Sequence, residues 1–422
     1  MTGNDSSTQP VGFGEIETAR ERLEGAGVAK QTPVDRSTSL EEMTGAREVL
    51  LKMEHLQWTG SFKTRGAYNK ISQCLEAGEV ENVVAASAGN HAQGVAVAAT
   101  ENGIDATIFM PRTAPETKVN ATRGYGATVE LVGQDFQAAR RHAEAVAAET
   151  DATLIHPYDD PAIVAGQGTL GVEMYEDAPD LDTVVVPIGG GGLISGIALA
   201  FAELSPETRI IGVQAEGAAT VAASLDKGGP VTLDSVDTIA DGIATGGVSE
   251  LTLSIIEEHV DELVTVSNTE IADAILLLME RAKQVVEGAA SASVAAIRSD
   301  DLDVTNETVM PLLCGGNLDI TMVRAVLIHA LTARKQLVRF RVHTDDRPGN
   351  MAEVTEIIAD HGANIQVVRH DRALENLGVG EVSLVFEIET SGLNHAESIT
   401  EAIADHGYDV EVTNRASAPP SS

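Results

Sequence analysis

Basic side chains are scarce in this chain. Of its 422 residues only 28 are Lys or Arg against 64 Asp or Glu, leaving a formal charge of −36, and only eight of the 28 are lysines. So acidic a surface repels phosphate backbones and argues against a general nucleic-acid role. Long apolar runs are missing too: residues 184–188 are among the longest, far below the ~20 residues a membrane-spanning helix needs. Two cysteines, Cys74 and Cys314, supply no disulfide framework, and residues 1–10 lack the charged-then-apolar order of a signal peptide. The expected compartment is the cytoplasm, with no membrane partner. Acidic, lysine-poor surfaces look like those of proteins from salt-accumulating organisms, where about 1 M salt screens charge over ~3 Å. A halophilic protein, steadier in molar KCl, is the expectation.

What is present is a globular composition, 43% hydrophobic, in a chain long enough for two or three domains. Residues 1–14 read as a disordered tail, and residues 415–422 as a flexible one. From residue 15 to 334, short β-branched runs at 82–87, 107–110, 183–188, 210–214 and 308–313 alternate with amphipathic stretches. That alternation predicts a mostly parallel α/β sheet with helices on both faces. Glycine-rich turns follow three of the runs, and ligands of open α/β sheets bind at the carboxyl ends of strands. Beyond residue 335 the pattern changes. Residues 336–343, 364–370, 380–389 and 409–413 alternate as strands, while 349–360 and 395–404 have helical spacing, which predicts a ferredoxin-like βαββαβ module over 335–414.

Four segments carry chemistry. In Ser61-Phe62-Lys63-Thr64-Arg65-Gly66-Ala67 one lysine stands among small residues before a helix. Alone it reads as a surface lysine; buried, its lowered pKa would let it form a Schiff base and act as a general base. Ser87-Ala88-Gly89-Asn90-His91 follows an apolar strand and opens a helix, where small residues let backbone N–H groups meet a carboxylate. Asn90 could bond a ring oxygen, Ser87 reads equally as a helix N-cap, and His91 reads as a structural histidine rather than a base. Gly189, Gly190, Gly191 and Gly192 precede Leu193 at the end of a buried-strand run. Four successive glycines lose much chain entropy on folding, and their use is a nest of N–H groups around a phosphate. No Lys-Ser/Thr follows and the GxGxxG spacing is absent, so the ligand is one phosphate of a small cofactor rather than a nucleotide. Last, Cys314-Gly315-Gly316-Asn317 joins a strand to a helix, with Cys314 readable as a small buried hydrophobe.

Together these segments resemble the threonine and serine dehydratases, the β-eliminating branch of the fold-type II pyridoxal-phosphate enzymes, over residues 15–334. The resemblance implies two open, mostly parallel α/β domains, the smaller spanning about residues 54–155. It implies that Lys63 carries pyridoxal 5'-phosphate as a Schiff base beside Phe62, and that Asn90 contacts the cofactor's phenolic oxygen. Gly189 to Gly192 and Leu193 would hold the phosphate, and Cys314 would face the pyridine nitrogen. Ser61, Ser87, Ala88, Gly89 and His91 would line the substrate side. A thiol does not keep the pyridine nitrogen protonated, which weakens the electron sink and favours prompt β-elimination. The implied reaction takes L-threonine to 2-oxobutanoate and ammonia, with L-serine as a second substrate. Serine racemases of this family carry a serine where this chain has Ala88, so racemisation is disfavoured. Their divalent cation lies near the position of Glu216, but Thr220 and Ala222 supply no matching carboxylates, so a metal is left open. A reading of another class, a non-catalytic amino-acid sensor, is opposed by the intact Lys63.

In the last module the turn Asp346-Arg347-Pro348-Gly349-Asn350 resembles the DRPG turn of ACT domains, which bind amino acids between paired copies. That resemblance implies a homodimer or homotetramer. It also implies an amino-acid effector, isoleucine or valine, touching Asp346, Arg347, Gly349 and Asn350, with a nucleotide as the alternative effector. Isoleucine biosynthesis and threonine catabolism are equally compatible with these motifs.

Overall fold

The computed structural model describes residues 11–78, 80–372, 378 and 380–413. The expected tails fall outside it at 1–10 and 414–422, but Val11 is buried and a helix starts at Phe13, so residues 11–14 are structured. Two compact units follow one another, one up to Asp319 and one from Ile320. The division comes earlier than residue 334, because the helix Ile320–Ala333 packs on the first strand of the second unit.

The first unit opens with a short antiparallel pair, β1 (Val34–Arg36) and β2 (Glu48–Lys52). The chain then leaves to build a small, wholly parallel sheet from β3 (Asn82–Ala86), β4 (Asp105–Met110), β5 (Thr128–Leu131) and β6 (Thr153–Leu154), in the order β5-β4-β3-β6. It returns to add β7 (Thr183–Pro187), β8 (Arg209–Ala215), β9 (Glu262–Val266) and β10 (Thr308–Pro311) to the first pair. The large sheet therefore runs β1-β2-β10-β7-β8-β9, parallel except at β1. All five residues of β7 are buried, as a β-branched strand covered on both faces requires.

Helix Lys63–Ala77 carries the chain into the small sheet and helix Pro161–Asp177 carries it out. The second starts sharply: Pro161 has no N–H to satisfy, and the Asp160 carboxylate accepts from the N–H groups of Ala162 and Ile163. The small sheet packs its helices on Val83, Ala85, Ile108 and Met110.

The second unit contains β11 (Leu337–Asp345), β12 (Asn364–Asp371), β13 (Glu381–Glu389) and β14 (Asp409–Val412), with helices Asn350–Asp360 and Leu393–Asp405 between them. The order β12-β13-β11-β14, antiparallel throughout, is the expected βαββαβ arrangement. Its core is apolar: Val338, Phe340, Val342, Leu384, Phe386 and Ile388 of the sheet meet Val354, Ile358, Ile399 and Ile403 of the helices. Each such side chain contributes about 1.5–3 kcal/mol on burial.

Candidate active site

Backbone pairing brings the four sequence segments together. Ser61 bridges Gly315 antiparallel, the N–H of Phe62 reaches the Cys314 carbonyl at 3.3 Å, and the N–H of Gly316 reaches the Gly60 carbonyl at 2.9 Å. Lys63 is thereby the first residue of its helix, against the turn that holds Cys314. Helix Asn90–Asn102 crosses at the same point: a Cβ on Gly94 would stand 2.9 Å from the Lys63 carbonyl carbon, so only glycine admits this approach.

The Lys63 amine donates to the Pro157 carbonyl at 3.1 Å and lies 4.9 Å from the centre of the Phe62 ring. Burial lowers its pKa to about 8, opposed in part by the nearby Glu287 carboxylate. Cys314 is buried, and burial, followed by the nearby Glu287 carboxylate, pushes its thiol well above the usual range. It stays neutral. His91 is held to about 3 by burial and then by the Lys63 charge, and its Nε2 stands 2.9 Å from the Ile155 carbonyl. A neutral ring beside a carbonyl fits a structural histidine better than a base.

At the end of β7 none of the four glycines could carry a side chain unmoved. A Cβ would meet Ile243 at 3.1 Å from Gly189, the Tyr158 ring at 2.1 Å from Gly190, Thr252 at 2.8 Å from Gly191, and Tyr158 again at 2.9 Å from Gly192. Gly191 also has φ +90°, a conformation few other residues adopt. Helix Gly192–Leu204 starts there with no side-chain cap, so the N–H groups at its first turn, Leu193 included, are available to an anion. The second helix start is equally open. Ser87 is not its cap: its hydroxyl accepts from the Gly89 N–H at 3.1 Å, while Gly89 itself precedes the helix. A Cβ on Gly89 would meet nothing within 4 Å, which leaves room for a carboxylate beside Ala88.

These features fit pyridoxal phosphate: a nest for one phosphate, an amine with a depressed pKa and a neutral thiol. The Ser61 hydroxyl, fully buried with no partner, adds an unspent polar group two residues before Lys63.

Sequence reasoning missed three participants. Glu287 is buried and accepts from Asn90 Nδ2 at 2.8 and 3.0 Å, while Asn317 Nδ2 donates to Asn90 Oδ1 at 2.9 Å. Tyr158 roofs the glycine turn and donates its hydroxyl to the Gly247 carbonyl at 3.2 Å. Asn317 had a signal, its place in the last glycine turn. Tyr158 and Glu287 had none, Glu287 being one acid among 64.

The second unit holds the remaining expected residues. Asp346 accepts two bonds from Arg372, at 2.6 and 3.2 Å, and Asn350 Nδ2 donates to Thr344 Oγ1 at 2.7 Å. Arg347 is exposed beside Asp345, and Gly349 has φ +108°. Among the described residues no cluster of His, Cys, Asp and Glu is arranged to hold a metal, and no helix is long and apolar enough to cross a membrane.

A part-buried lysine with a lowered pKa, together with glycine turns at the strand ends of an α/β unit, defines a class of cofactor enzyme. Residues 26–315 match the family described as pyridoxal-phosphate dependent enzymes, and the chain belongs to that family. Among its relatives, an L-threonine ammonia-lyase of Thermotoga maritima is 44% identical over 385 residues, 91% of this chain and 95% of that protein. In structure the chain is similar to the processed form of threonine deaminase isoform 2 of Solanum lycopersicum, at a TM-score of 0.73 and 35% identity over 78% of this chain and 95% of that one. Maize serine racemase is also similar, at a TM-score of 0.71 and 34% identity over 77% and 99%.

Proposed function

We infer that this protein deaminates L-threonine to 2-oxobutanoate and ammonia by β-elimination of water, with L-serine as a second substrate. The observation that carries the chemistry is the Lys63 amine, with a pKa lowered to about 8, at the start of a helix tied by backbone bonds to the turn that holds the neutral Cys314. The substrate follows from the long match to an L-threonine ammonia-lyase, which spans both units.

Bound pyridoxal phosphate supplies the electron sink that makes Cα of an amino acid acidic. Everything else falls to the chain. Gly189, Gly190, Gly191, Gly192 and Leu193 hold the phosphate through main-chain N–H groups. The open helix start at Ala88, Gly89 and Asn90 receives the substrate carboxylate, with Ser61 and Ser87 beside it. Lys63 removes the Cα proton in its neutral form, which a pKa lowered to about 8 makes more accessible than in an ordinary lysine, and the β-hydroxyl takes up that proton and departs as water. Cys314 adds no charge. The released enamine takes up water to give the 2-oxo acid and ammonia.

Serine racemisation is the second reading, favoured by the likeness to maize serine racemase. It needs a proton donor on the opposite face of Cα, and Ala88 has none to offer. Product analysis with L-threonine, L-serine and D-serine separates the two: 2-oxobutanoate from L-threonine is the expected main product, and interconversion of the serine enantiomers without it would overturn the reading.

The second unit is read as an effector module. An isoleucine or valine seated at Asp346, Arg347, Gly349 and Asn350 between paired copies would shift the catalytic unit between two states. Deleting residues 336–422 should abolish the effector response; retained sensitivity with unchanged threonine kinetics would refute it.

A further inference from the structure

Glu287 lies outside the four segments and is 7% exposed. Three stretches of chain close around its carboxylate. Asn90 Nδ2 donates to it, and a Cβ added at Gly315 or Gly242 would stand 2.3 or 2.7 Å from Oε1. Its own N–H donates to the Gly315 carbonyl at 3.1 Å, fixing it to the Cys314 turn. Glu287 precedes helix Gly288–Ala296 but makes no side-chain cap bond to it, so helix capping does not account for the carboxylate.

Both Glu287 oxygens lie within hydrogen-bond distance of the Asn90 amide nitrogen, so Asn90 turns Nδ2 toward Glu287. Its other end is held as firmly: Asn317 Nδ2 donates to Asn90 Oδ1 at 2.9 Å and to the Thr59 carbonyl at 2.6 Å. The two oxygens of one carboxylate subtend too narrow an angle at Nδ2 to take both amide hydrogens, which diverge widely. One N–H of Asn90 therefore remains, and it is what this side chain has left to offer a ligand. Burying an anion this deeply is unfavourable by itself, and burial raises the Glu287 pKa against the opposing bond from Asn90.

We propose that Glu287 is a positioning residue for the elimination, acting through Asn90, which it fixes so that an N–H rather than a carbonyl faces the ring of the bound cofactor. Such an N–H favours an anionic oxygen on that ring. The inference rests on reading this cleft as a pyridoxal-phosphate site. It deepens that reading by giving a role to a carboxylate no motif contains.

The test uses holoenzyme carrying Glu287→Gln or Glu287→Ala, each also combined with Asn90→Ala. Readouts are the cofactor's dissociation constant, the pH midpoint of its visible absorbance band, and the melting temperature. The charged and titratable groups around Glu287 are Lys63, Cys314, Asp241 and Lys118, and these stay unchanged. Glu287→Ala should weaken cofactor binding about 10- to 100-fold, as loss of a hydrogen bond to a charged group does. Glu287→Gln, which keeps an acceptor oxygen, should recover most of the affinity yet move the absorbance midpoint. Both effects should vanish in the Asn90→Ala background, the non-additivity of residues that act as one. Should Glu287→Ala not fold, the Gln variant with and without Asn90→Ala still decides. An absorbance shift that persists at full size without Asn90, or affinity and spectrum unaltered in both Glu287 variants, overturns the proposal. Wild-type protein that takes up no cofactor would instead overturn the reading of the cleft.

Discussion

In the unit that ends at Asp319, Lys52, Glu54 and Arg65 are buried side by side, whereas in the unit from Ile320 the one buried polar side chain among the described residues is Ser383. The first unit spends its interior on an ionic network. Lys52 Nζ lies 2.7 Å from Asp177 and 2.5 Å from Glu173, and Arg65 reaches Glu54 and Glu173 at 2.7 Å each. The Thr32 hydroxyl and carbonyl complete it, bonding Glu54 and Lys52 at 2.8 and 2.7 Å. Buried ion pairs are weak evidence of stability, because desolvation opposes the attraction. Their directionality is what an apolar core lacks. This network ties β2 to the helix that starts at Lys63 and to the helix that leaves the small sheet, so it fixes Lys63 from behind. The second unit packs an apolar core, with its Arg339–Glu387 pair part-buried and its Arg341–Glu411 pair toward solvent. A unit that must aim a base holds charge inside; a unit that pairs strands does not need to.

The largest effect should come from the aimed residue itself. Lys63→Ala should lower threonine deamination by about 10³-fold or more while leaving the melting temperature unchanged or higher, because it removes a buried amine. Residual activity within tenfold of wild type would dissociate the network from the chemistry. Next, Arg65→Met leaves Glu54 and Glu173 facing each other without their shared cation, and should destabilise the fold by about 3–5 kcal/mol in denaturant titrations. Arg341→Met, in the second unit, removes a solvent-facing pair with Glu411 and should cost about 1 kcal/mol or less. Equal losses from the two would erase the contrast.

The contrast explains what was legible in the sequence. Strands β3, β4, β7, β8 and β10 follow from β-branched runs, and the strands and the two later helices of the second unit from apolar periodicity, because there packing decides and packing is periodic. The glycine nest was legible since four glycines in a row have few other uses. Glu54, Arg65, Glu173 and Glu287 were not legible as a group. Their partners lie up to 197 residues apart in the chain, as for Asn90 and Glu287, and buried acids carry no periodicity. In a chain with 64 acidic residues, a working carboxylate looks like a solvated one. Ala88 worked the other way: a missing hydroxyl is readable only against a reaction that would need it.

A smaller effect separates the two kinds of lysine in the first unit. Lys63 is the lysine whose pKa burial lowers to about 8, and its neutral amine is the form that attacks the cofactor's carbonyl. For a lysine whose folded pKa lies below the free value, the neutral form appears as pH rises through about 8. The rate at which apoenzyme captures pyridoxal phosphate should climb through that pH and level off above it. A midpoint near 10.5, the ordinary lysine value, would mean the amine is not desolvated.

The smallest effect is on the surface, and it bears on both units at once. With 64 acidic against 28 basic residues the folded chain repels itself, and salt shortens the reach of that repulsion from about 8 Å at physiological strength to about 3 Å at 1 M. Molar KCl should therefore raise the melting temperature modestly. The same salt should leave the penalty of Arg65→Met nearly intact, because buried pairs are screened little, while shrinking that of Arg341→Met toward zero. If KCl weakened the Arg65 penalty in the same proportion, water and ions would be reaching the network, and the interior that positions Lys63 would be no drier than the surface of the second unit.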